Sequence, residues 1–407
     1  MNRVLEKILA GQLFQKMFKN PFLIADEILA KIVRKIFMQN CQVNNNKIFF
    51  STFNGEYTCN PKAITEEILR RNLPWEIVWL VKRNSQIENV PEPVKCVLPY
   101  TPEYFQEVAS SKIWIANSVS LTYYKAYKKT SQIFFQTWHG SVGLKRFDVK
   151  SNRRWCKLAK RDAKFTDYCI SNSMFEDNLF ESTFWKNAEI LKYGHARNDI
   201  LLKDSSNPKI IEIKEKLLKL FQIPKSAKIA LYAPTFRDDK NLSHYDIDYC
   251  NLRNALSEKF GGKWIILTRL HSRLKNVSSH ELELTFPDFV INCSEYNDIQ
   301  DIMLIADVGI TDYSSWICDY LLTKKPGFIF ATDMQDYNHE RGFYYPLNTL
   351  PYPIAENNEQ LINNILNFKE EGFSDKCQDF LNSKGCIDDG HAAERIVDKL
   401  EEIMNKN

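Results

Sequence analysis

Residues 133–140 read Ile-Phe-Phe-Gln-Thr-Trp-His-Gly, so an apolar run leads directly into a histidine and a glycine. A short apolar run is typical of a buried strand in a parallel sheet. In open α/β sheets, ligands bind beyond the carboxyl ends of the strands, and histidine exchanges protons near neutral pH. We therefore interpret His139 as a candidate catalytic base. The alternative is a histidine that only hydrogen-bonds its own loop.

The composition is that of an ordinary globular protein with room for two domains, because the 407 residues are 44% hydrophobic and 26% charged. The 54 basic and 51 acidic residues leave a net charge of +3, too balanced to indicate a nucleic-acid partner. The ten cysteines form no C-x-x-C pair and no zinc-like spacing, which favours reduced thiols in a cytoplasmic protein. We see no signal sequence and no apolar run of ~18 residues.

Residues 1–39 differ from the rest of the chain. Apolar residues recur there at helical spacing in two runs, which are separated by Asn20 and Pro21. Seven basic residues against three acidic ones make the segment strongly positive. Basic amphipathic helices suit an anionic membrane surface. Packing on the first domain, or on a second copy of the chain in a homo-oligomer, remains the alternative.

Strands and helices alternate from residue 46 onward, and this rhythm predicts parallel sheets. A polar stretch at 203–208 divides the chain, so we predict a first Rossmann-like domain over 40–203 and a second over 204–407. Helices are expected between the strands, among them one over 120–129. The predicted strands are 47–50, 75–80, 112–116, 133–135 and 168–170 in the first half, and 227–232, 264–268, 289–291, 308–310 and 326–330 in the second.

Two Rossmann-like halves joined by a linker are the architecture of GT-B transferases, whose ligands meet in the cleft between the halves. The expected fold class is therefore α/β of the GT-B type, with an N-terminal amphipathic helical segment. Neither G-x-G-x-x-G nor G-x-x-x-x-G-K-[ST] occurs, which argues against a dinucleotide oxidoreductase and a P-loop NTPase.

Three segments at predicted strand ends of the second half suit a phosphorylated ligand. Residues 311–315, Thr-Asp-Tyr-Ser-Ser, open a helix, and helix N-termini attract phosphate, although an ordinary helix cap is the alternative. Residues 267–273 bring cationic donors together, and residues 231–237 end in a threonine and an arginine, which could equally be a solvated loop. The candidate ligands are Arg269, His271, Thr235, Arg237, Thr311, Ser314 and Ser315.

Seven short motifs follow one another along roughly residues 133–397. They are residues 138–140 (Trp-His-Gly), 193–199 (Tyr-Gly-His-Ala-Arg-Asn-Asp), 232–237 (Tyr-Ala-Pro-Thr-Phe-Arg), 269–271 (Arg-Leu-His), 311–315, 340–344 (Glu-Arg-Gly-Phe-Tyr) and 389–390 (Asp-Gly). This ordered set resembles the CDP-glycerol glycerophosphotransferases of the teichoic acid and capsule polymerase group. One departure is visible, because Ala196 stands where that family usually has proline.

The resemblance implies that CDP-glycerol or CDP-ribitol is the donor, that CMP is released and that no cofactor is needed. It implies an acceptor hydroxyl on a membrane-linked glycan or a growing polyol-phosphate chain, and hence a cytoplasmic protein peripheral to the inner face of the cell membrane. His139 would be the base, and His271, with Arg269, would stabilise charge on the diphosphate. The resemblance adds Gly140, Arg197, Asp312, Arg341 and Asp389 as residues that bind or position substrate.

Other functions remain open at this point. A D-x-D pattern at 246–248 could hold a metal, but acidic residues at a helix start are the expected alternative, so we predict no metal site. A GT-B glycosyltransferase would share the fold and release a nucleoside diphosphate instead of CMP. A non-catalytic scaffold on a lipid surface would leave the clustered His, Arg and hydroxyl side chains without a purpose.

Overall fold

A computed structural model describes residues 38, 40–146, 153–235, 246–270, 286–334, 337 and 342–405 of the protein. The amphipathic helices predicted over 1–39 lie outside these residues, apart from Met38, which is buried in the core of the first half. Three candidate ligands also lie outside them: Arg237, His271 and Arg341.

Among the described residues, seven parallel strands form the first sheet in the order β3-β2-β1-β4-β5-β6-β7. This is the doubly wound order, in which the chain reverses direction across the sheet between β1 and β4. The apolar runs fill its centre, where both faces of the sheet are covered. The strands are β1 Asn44–Ser51, β2 Glu76–Leu80, β3 Lys95–Val97, β4 Ser111–Ala116, β5 Ile133–Gln136, β6 Tyr168–Ser171 and β7 Glu189–Lys192.

Side-chain caps and left-handed backbone positions set the ends of helices in the first half. The hydroxyl of Thr101 accepts a hydrogen bond from the Tyr104 amide at 3.1 Å and so caps α2. The helix predicted over 120–129 ends at Tyr123, because Lys125 has a left-handed φ of 64°. The helices are α1 Cys59–Arg70, α2 Pro102–Ser110, α3 Ser120–Tyr123, α4 Arg153–Asp162 and α5 Met174–Ser182.

The second half repeats the same order with six described strands, β10-β9-β8-β11-β12-β13, again all parallel. Its helices are α6 Pro208–Leu220, α7 Tyr249–Phe260, α8 Ile299–Ile305, α9 Trp316–Tyr320, α10 Asn358–Leu366, α11 Phe373–Ser383 and α12 Ala392–Asn405. Its strands are β8 Lys228–Tyr232, β9 Trp264–Thr268, β10 Val290–Asn292, β11 Val308–Thr311, β12 Gly327–Phe330 and β13 Ile354–Ala355.

Every strand predicted from the sequence is present, and the prediction of two parallel sheets is confirmed. The sequence analysis missed β3, β7 and β13, which are sheet edges of two to four residues. An edge strand pairs on one side only and mixes exposed with buried positions, so it leaves no continuous apolar run to detect.

The last helix, α12, crosses back to the first half. Ile396 and Leu400 are fully buried in one hydrophobic core with Ile48 and Phe50 of β1. Arg71, just after α1, also contacts Asp398 and Glu401 of α12. The apolar face of α12 therefore covers the first sheet, although α12 follows residue 204 in the chain.

The segment that follows His139 crosses in the opposite direction. Val142 and Leu144 are fully buried in the core of the second half. The Tyr344 amide donates a hydrogen bond to the Leu144 carbonyl at 2.9 Å, and the Arg146 amide donates to the Gly342 carbonyl at 3.1 Å. The loop that carries His139 is thus anchored in both halves of the molecule.

Candidate functional site

The backbone immediately before His139 is strained. Trp138 has a φ of 53°, a conformation that is unfavourable for a bulky side chain. Its indole packs against Trp155 and Trp185, with ring centroids 6.0 and 5.3 Å apart. A Cβ atom at Gly140 would lie 2.6 Å from Nε1 of Trp138, so only glycine fits there. Aromatic packing and one required glycine together determine where His139 stands at the end of β5.

Among the described residues, one hydrogen bond holds the imidazole of His139. Its Nδ1 lies 2.6 Å from the carbonyl oxygen of Asn117, which follows β4. Because a carbonyl only accepts, Nδ1 carries the hydrogen and the bare nitrogen is Nε2. Sequence analysis missed Asn117, although it stands directly after a predicted strand, which is the position that identified His139.

The environment of His139 keeps its imidazole neutral. The side chain is exposed to solvent at one side and has the rings of Phe53 and Trp138 beside it, with centroids 5.3 and 4.5 Å from that of the imidazole. Desolvation lowers the pKa of His139 to about 4, the Asn117 carbonyl opposes this change, and the charges of Arg197 and Lys145 reinforce it. A neutral imidazole with a free Nε2 is able to accept a proton.

Arg197, a candidate from the sequence, lies in a buried ion pair between the two halves. It is 5% exposed, and its Nε donates to the carboxylate of Asp319 at 3.0 Å. The same guanidinium donates to the carbonyl of Gly140, beside His139. Burial disfavours the charge of the guanidinium and acts to lower its pKa. The attraction of Asp319 is the stronger effect, so the pKa of Arg197 is raised. Arg197 therefore ties the His139 loop to α9 of the second half.

Asp389, another candidate from the sequence, lies at the surface and forms an ion pair with Arg395. The neighbouring Asp388 makes the contacts that matter for the site. Its carboxylate accepts hydrogen bonds from the side chains of Asn172 at 2.8 Å and Asn198 at 3.0 Å. Asp388 therefore joins the end of β6 to the connection that carries Arg197, and Asp389 does not reach this network.

Thr311 and Asp312 fasten two strand ends to each other. The Thr311 hydroxyl donates to the Ala233 carbonyl at 2.7 Å, and Thr311 is fully buried. The two oxygens of the Asp312 carboxylate lie 2.8 and 2.9 Å from the donating amide of Thr235. The structure thus places these candidates as supports of the site. Lys145 reaches across from the first half to within 3.5 Å of the Thr235 hydroxyl.

Ser314 and Ser315 are half-buried in the turn before α9. Although Ser315 occupies the capping position, its side chain makes no capping hydrogen bond. Within the described part of the chain, no hydrogen bond is found for either hydroxyl. These serines therefore do not form the ordinary helix cap that was the alternative interpretation. Their hydroxyls are available to a ligand.

Arg269 follows β9 and its guanidinium donates to backbone carbonyls, among them those of Cys293 at 3.3 Å and Asn297 at 3.4 Å. No carboxylate in the described ranges lies within ion-pair distance of it. Burial accordingly lowers the pKa of Arg269. A partly desolvated positive charge without an acidic partner attracts anions to this strand end.

The acidic pair at 246–248 belongs to a helix start. The Asp248 carboxylate accepts a hydrogen bond from the Asn251 amide at 3.0 Å and caps α7. Among the residues that the structure covers, no group of His, Cys, Asp or Glu side chains has the arrangement of a metal site. The alternative interpretation of this D-x-D pattern, a capped helix, is the one observed.

Comparison with known proteins adds independent information. A family model described as CDP-glycerol:poly(glycerophosphate) glycerophosphotransferase matches residues 33–402. The chain is 32% identical over 392 residues to the teichoic acid poly(glycerol phosphate) polymerase of Staphylococcus epidermidis, covering 89% of this chain but only 52% of that protein. It is 30% identical to the teichoic acid glycerol-phosphate transferase of Staphylococcus aureus, covering 88% of this chain and 93% of that one.

A solved structure of the wall teichoic acid polymerase TagF soaked with CDPG superimposes with a TM-score of 0.80 at 28% identity. The match covers 94% of this chain and 96% of that one. The likeness therefore extends across both halves and the cleft between them.

We predict that replacing Arg197 alone lowers the free energy of unfolding far more than replacing Arg197 and Asp319 together. Arg197→Gln leaves the Asp319 carboxylate buried without a counter-charge and is expected to lower the free energy of unfolding by about 3–5 kcal/mol. Adding Asp319→Asn removes that charge and is expected to restore most of the loss. Urea denaturation measures both variants.

The matched control is Arg70→Gln, which breaks a pair whose arginine side chain is 65% exposed and is expected to cost less than about 1 kcal/mol. Equal losses in Arg197→Gln and in this control would contradict a structural role for the buried pair.

Proposed function

Because the chain belongs to the CDP-glycerol:poly(glycerophosphate) glycerophosphotransferase family, we propose that it transfers glycerol phosphate from CDP-glycerol to a hydroxyl group and releases CMP. The acceptor is a growing polyol-phosphate chain or a membrane-linked glycan. The observation that supports the proposal is His139, whose Nδ1 is held by the Asn117 carbonyl and whose loop is connected by Arg197 to α9 of the second half.

In this mechanism the acceptor oxygen attacks the β-phosphorus of CDP-glycerol, and its proton passes to Nε2 of His139. The bond between the β-phosphorus and the bridging oxygen breaks, and CMP leaves with the electron pair. Nδ1 keeps its hydrogen bond to the Asn117 carbonyl throughout, which supports the imidazolium as it forms. A base held in this way needs no reorganisation during the reaction.

The donor phosphates lie, in the same proposal, against the turn before α9 and the end of β9. The hydroxyls of Ser314 and Ser315 and the charge of Arg269 supply hydrogen bonds and positive potential as negative charge develops. His271 and Arg237 join them on the sequence pattern of the strand ends, and Arg341 joins them by family resemblance. Thr235, Thr311 and Asp312 hold these strand ends in place.

We predict that His139→Ala lowers the rate of CMP release by about 10²–10⁴-fold, since general-base catalysis contributes on that order. The assay follows nucleotide products from CDP-glycerol, and in parallel from CDP-ribitol, with a polyol-phosphate acceptor. His391→Ala is the control, because His391 is an exposed histidine that pairs with Glu394 at the surface. CDP release in place of CMP would favour the glycosyltransferase alternative.

The pH dependence follows from the lowered pKa of His139. A base works when deprotonated, so activity is present above its pKa and falls as the pH drops through it. With a pKa of about 4, kcat/KM is expected to hold from pH 8 down to roughly pH 5. A bound diphosphate favours imidazolium, so the acid limb of kcat should lie at higher pH than that of kcat/KM.

Full pH profiles of both constants provide the measurement. An acid limb of kcat/KM already centred at roughly pH 6.5, the ordinary histidine value, would contradict the desolvated environment of His139.

We also propose that residues 1–39 bind the anionic inner face of the cell membrane, where a lipid-linked acceptor would be found. The basic composition of the segment supports this, since each basic residue contributes about 1 kcal/mol at such a surface. None of the described helices combines the length and apolar character needed to cross a bilayer.

The full chain carrying Lys16→Gln, Lys19→Gln, Lys31→Gln and Arg34→Gln is expected to lose binding to phosphatidylglycerol vesicles in co-sedimentation, while it still releases CMP with a water-soluble acceptor. Phosphatidylcholine vesicles serve as the neutral control. Unchanged binding to the anionic vesicles would refute a role for this basic segment.

A further inference from the structure

Beside His139, the loops that follow β1 and β2 connect the base to a lysine through three successive hydrogen bonds. The His139 Nδ1 lies 2.6 Å from the Asn117 carbonyl oxygen. The Asn117 side-chain oxygen accepts from the Phe53 amide at 3.0 Å, and the Phe53 carbonyl accepts from Nζ of Lys82 at 3.2 Å. The ammonium group of Lys82 is thereby held at a defined place relative to the base.

These two loops form a rigid unit. The side-chain oxygen of Gln86, a buried residue, accepts hydrogen bonds from the amides of Lys82 at 2.7 Å and Arg83 at 3.1 Å. Its side-chain nitrogen donates to the Asn54 carbonyl at 3.0 Å. Gly55 has a φ of 73°, and a Cβ there would lie 2.7 Å from the Lys82 amide nitrogen. The two strand ends are therefore packed too closely to move apart freely.

Phe53 presents an apolar surface next to the base. Phe53 is 39% exposed, and the centroid of its ring lies 5.3 Å from that of the His139 imidazole. An exposed aromatic ring adjoining a proton acceptor offers contact area to the carbon skeleton of a small alcohol. Burial of such a ring against the acceptor would favour binding without using a polar group.

Lys82 carries a positive charge that no ion pair neutralises among the described residues. Within the described ranges, no carboxylate lies within ion-pair distance of it, and the nearby Glu56 pairs instead with Arg83 at 3.5 Å. Partial burial lowers the pKa of Lys82. The negative charge of Glu56 opposes this shift, and the positive charge of Arg83 adds to it. An exposed ammonium of this kind, hydrogen-bonded to the residue whose ring adjoins His139, suits an anionic group on the incoming substrate.

We propose that Phe53 and Lys82 form an acceptor subsite that binds the phosphate preceding the terminal polyol of the acceptor. The inference rests on the proposed function. The terminal hydroxyl lies at Nε2 of His139, the carbon skeleton lies on Phe53, and the next phosphodiester lies at Lys82. The subsite favours acceptors that already end in a polyol phosphate over glycans that have no phosphate next to their terminal hydroxyl.

The test compares Lys82→Gln with the wild type on two acceptors, a glycerol-phosphate oligomer and a glycan acceptor without a phosphate beside its terminus. KM for the oligomer is expected to rise about tenfold, the scale of one charge-assisted contact. KM for the glycan and for CDP-glycerol should stay the same. An equal rise for both acceptors, or no rise, overturns the subsite.

Two further variants make the result specific to the charge at this place. Lys82→Arg keeps the charge and is expected to retain most of the oligomer preference. Lys225→Gln removes one exposed positive charge from the turn before β8, at the opposite end of the second sheet, and should change neither KM.

Calorimetry of the glycerol-phosphate oligomer, with inorganic phosphate as the comparison ligand, separates this inference from the proposed reaction. Weaker oligomer binding by Lys82→Gln supports the subsite even if no acceptor yields CMP, an outcome that would refute the proposed function alone. Identical oligomer binding by the wild type and the variant overturns the subsite whatever the turnover.

Discussion

The ion pair between Arg197 and Asp319 lies where the two halves meet, and the arrangement of the site depends on it. One guanidinium holds both the carbonyl of Gly140, next to the candidate base, and the carboxylate of α9, the helix that follows Ser314 and Ser315. Buried charges persist only when each keeps its partner, so the pair maintains one spacing between the two walls of the cleft. The base and the serine turn are thus positioned by a shared contact.

The loop around His139 is rigid for reasons that reinforce this pair. Trp138 tolerates a strained backbone because the surrounding aromatic rings determine its position, and strain of this kind is found where a structure has to hold a functional group. On the other side, Val142 and Leu144 are fixed in the core of the second half. A loop held at both ends gives preorganised catalytic geometry. Such a loop stabilises the transition state more than a flexible loop that must reorganise during the reaction.

The central strands and the position of His139 after the end of β5 could be predicted because both depend on a local pattern, an apolar run followed by polar residues. The edge strands β3, β7 and β13 could not, since they have no such pattern. At the site, the contributions of Arg197 and Asp388 escaped sequence reasoning for a different reason. The partner of Arg197 lies 122 residues further along the chain, and nothing local tells which of two adjacent aspartates turns inward. Long-range pairing, rather than residue type, decides those roles.

The return of α12 to the first sheet has a consequence for the order in which the protein is made. Ile48 and Phe50 of β1 share a core with Ile396 and Leu400, so one of the earliest strands is completed by one of the latest helices. Contacts between such distant positions slow folding, and domains otherwise tend to fold as they emerge from the ribosome. The first half of this protein has to wait with part of its apolar surface uncovered until the second half has been synthesised.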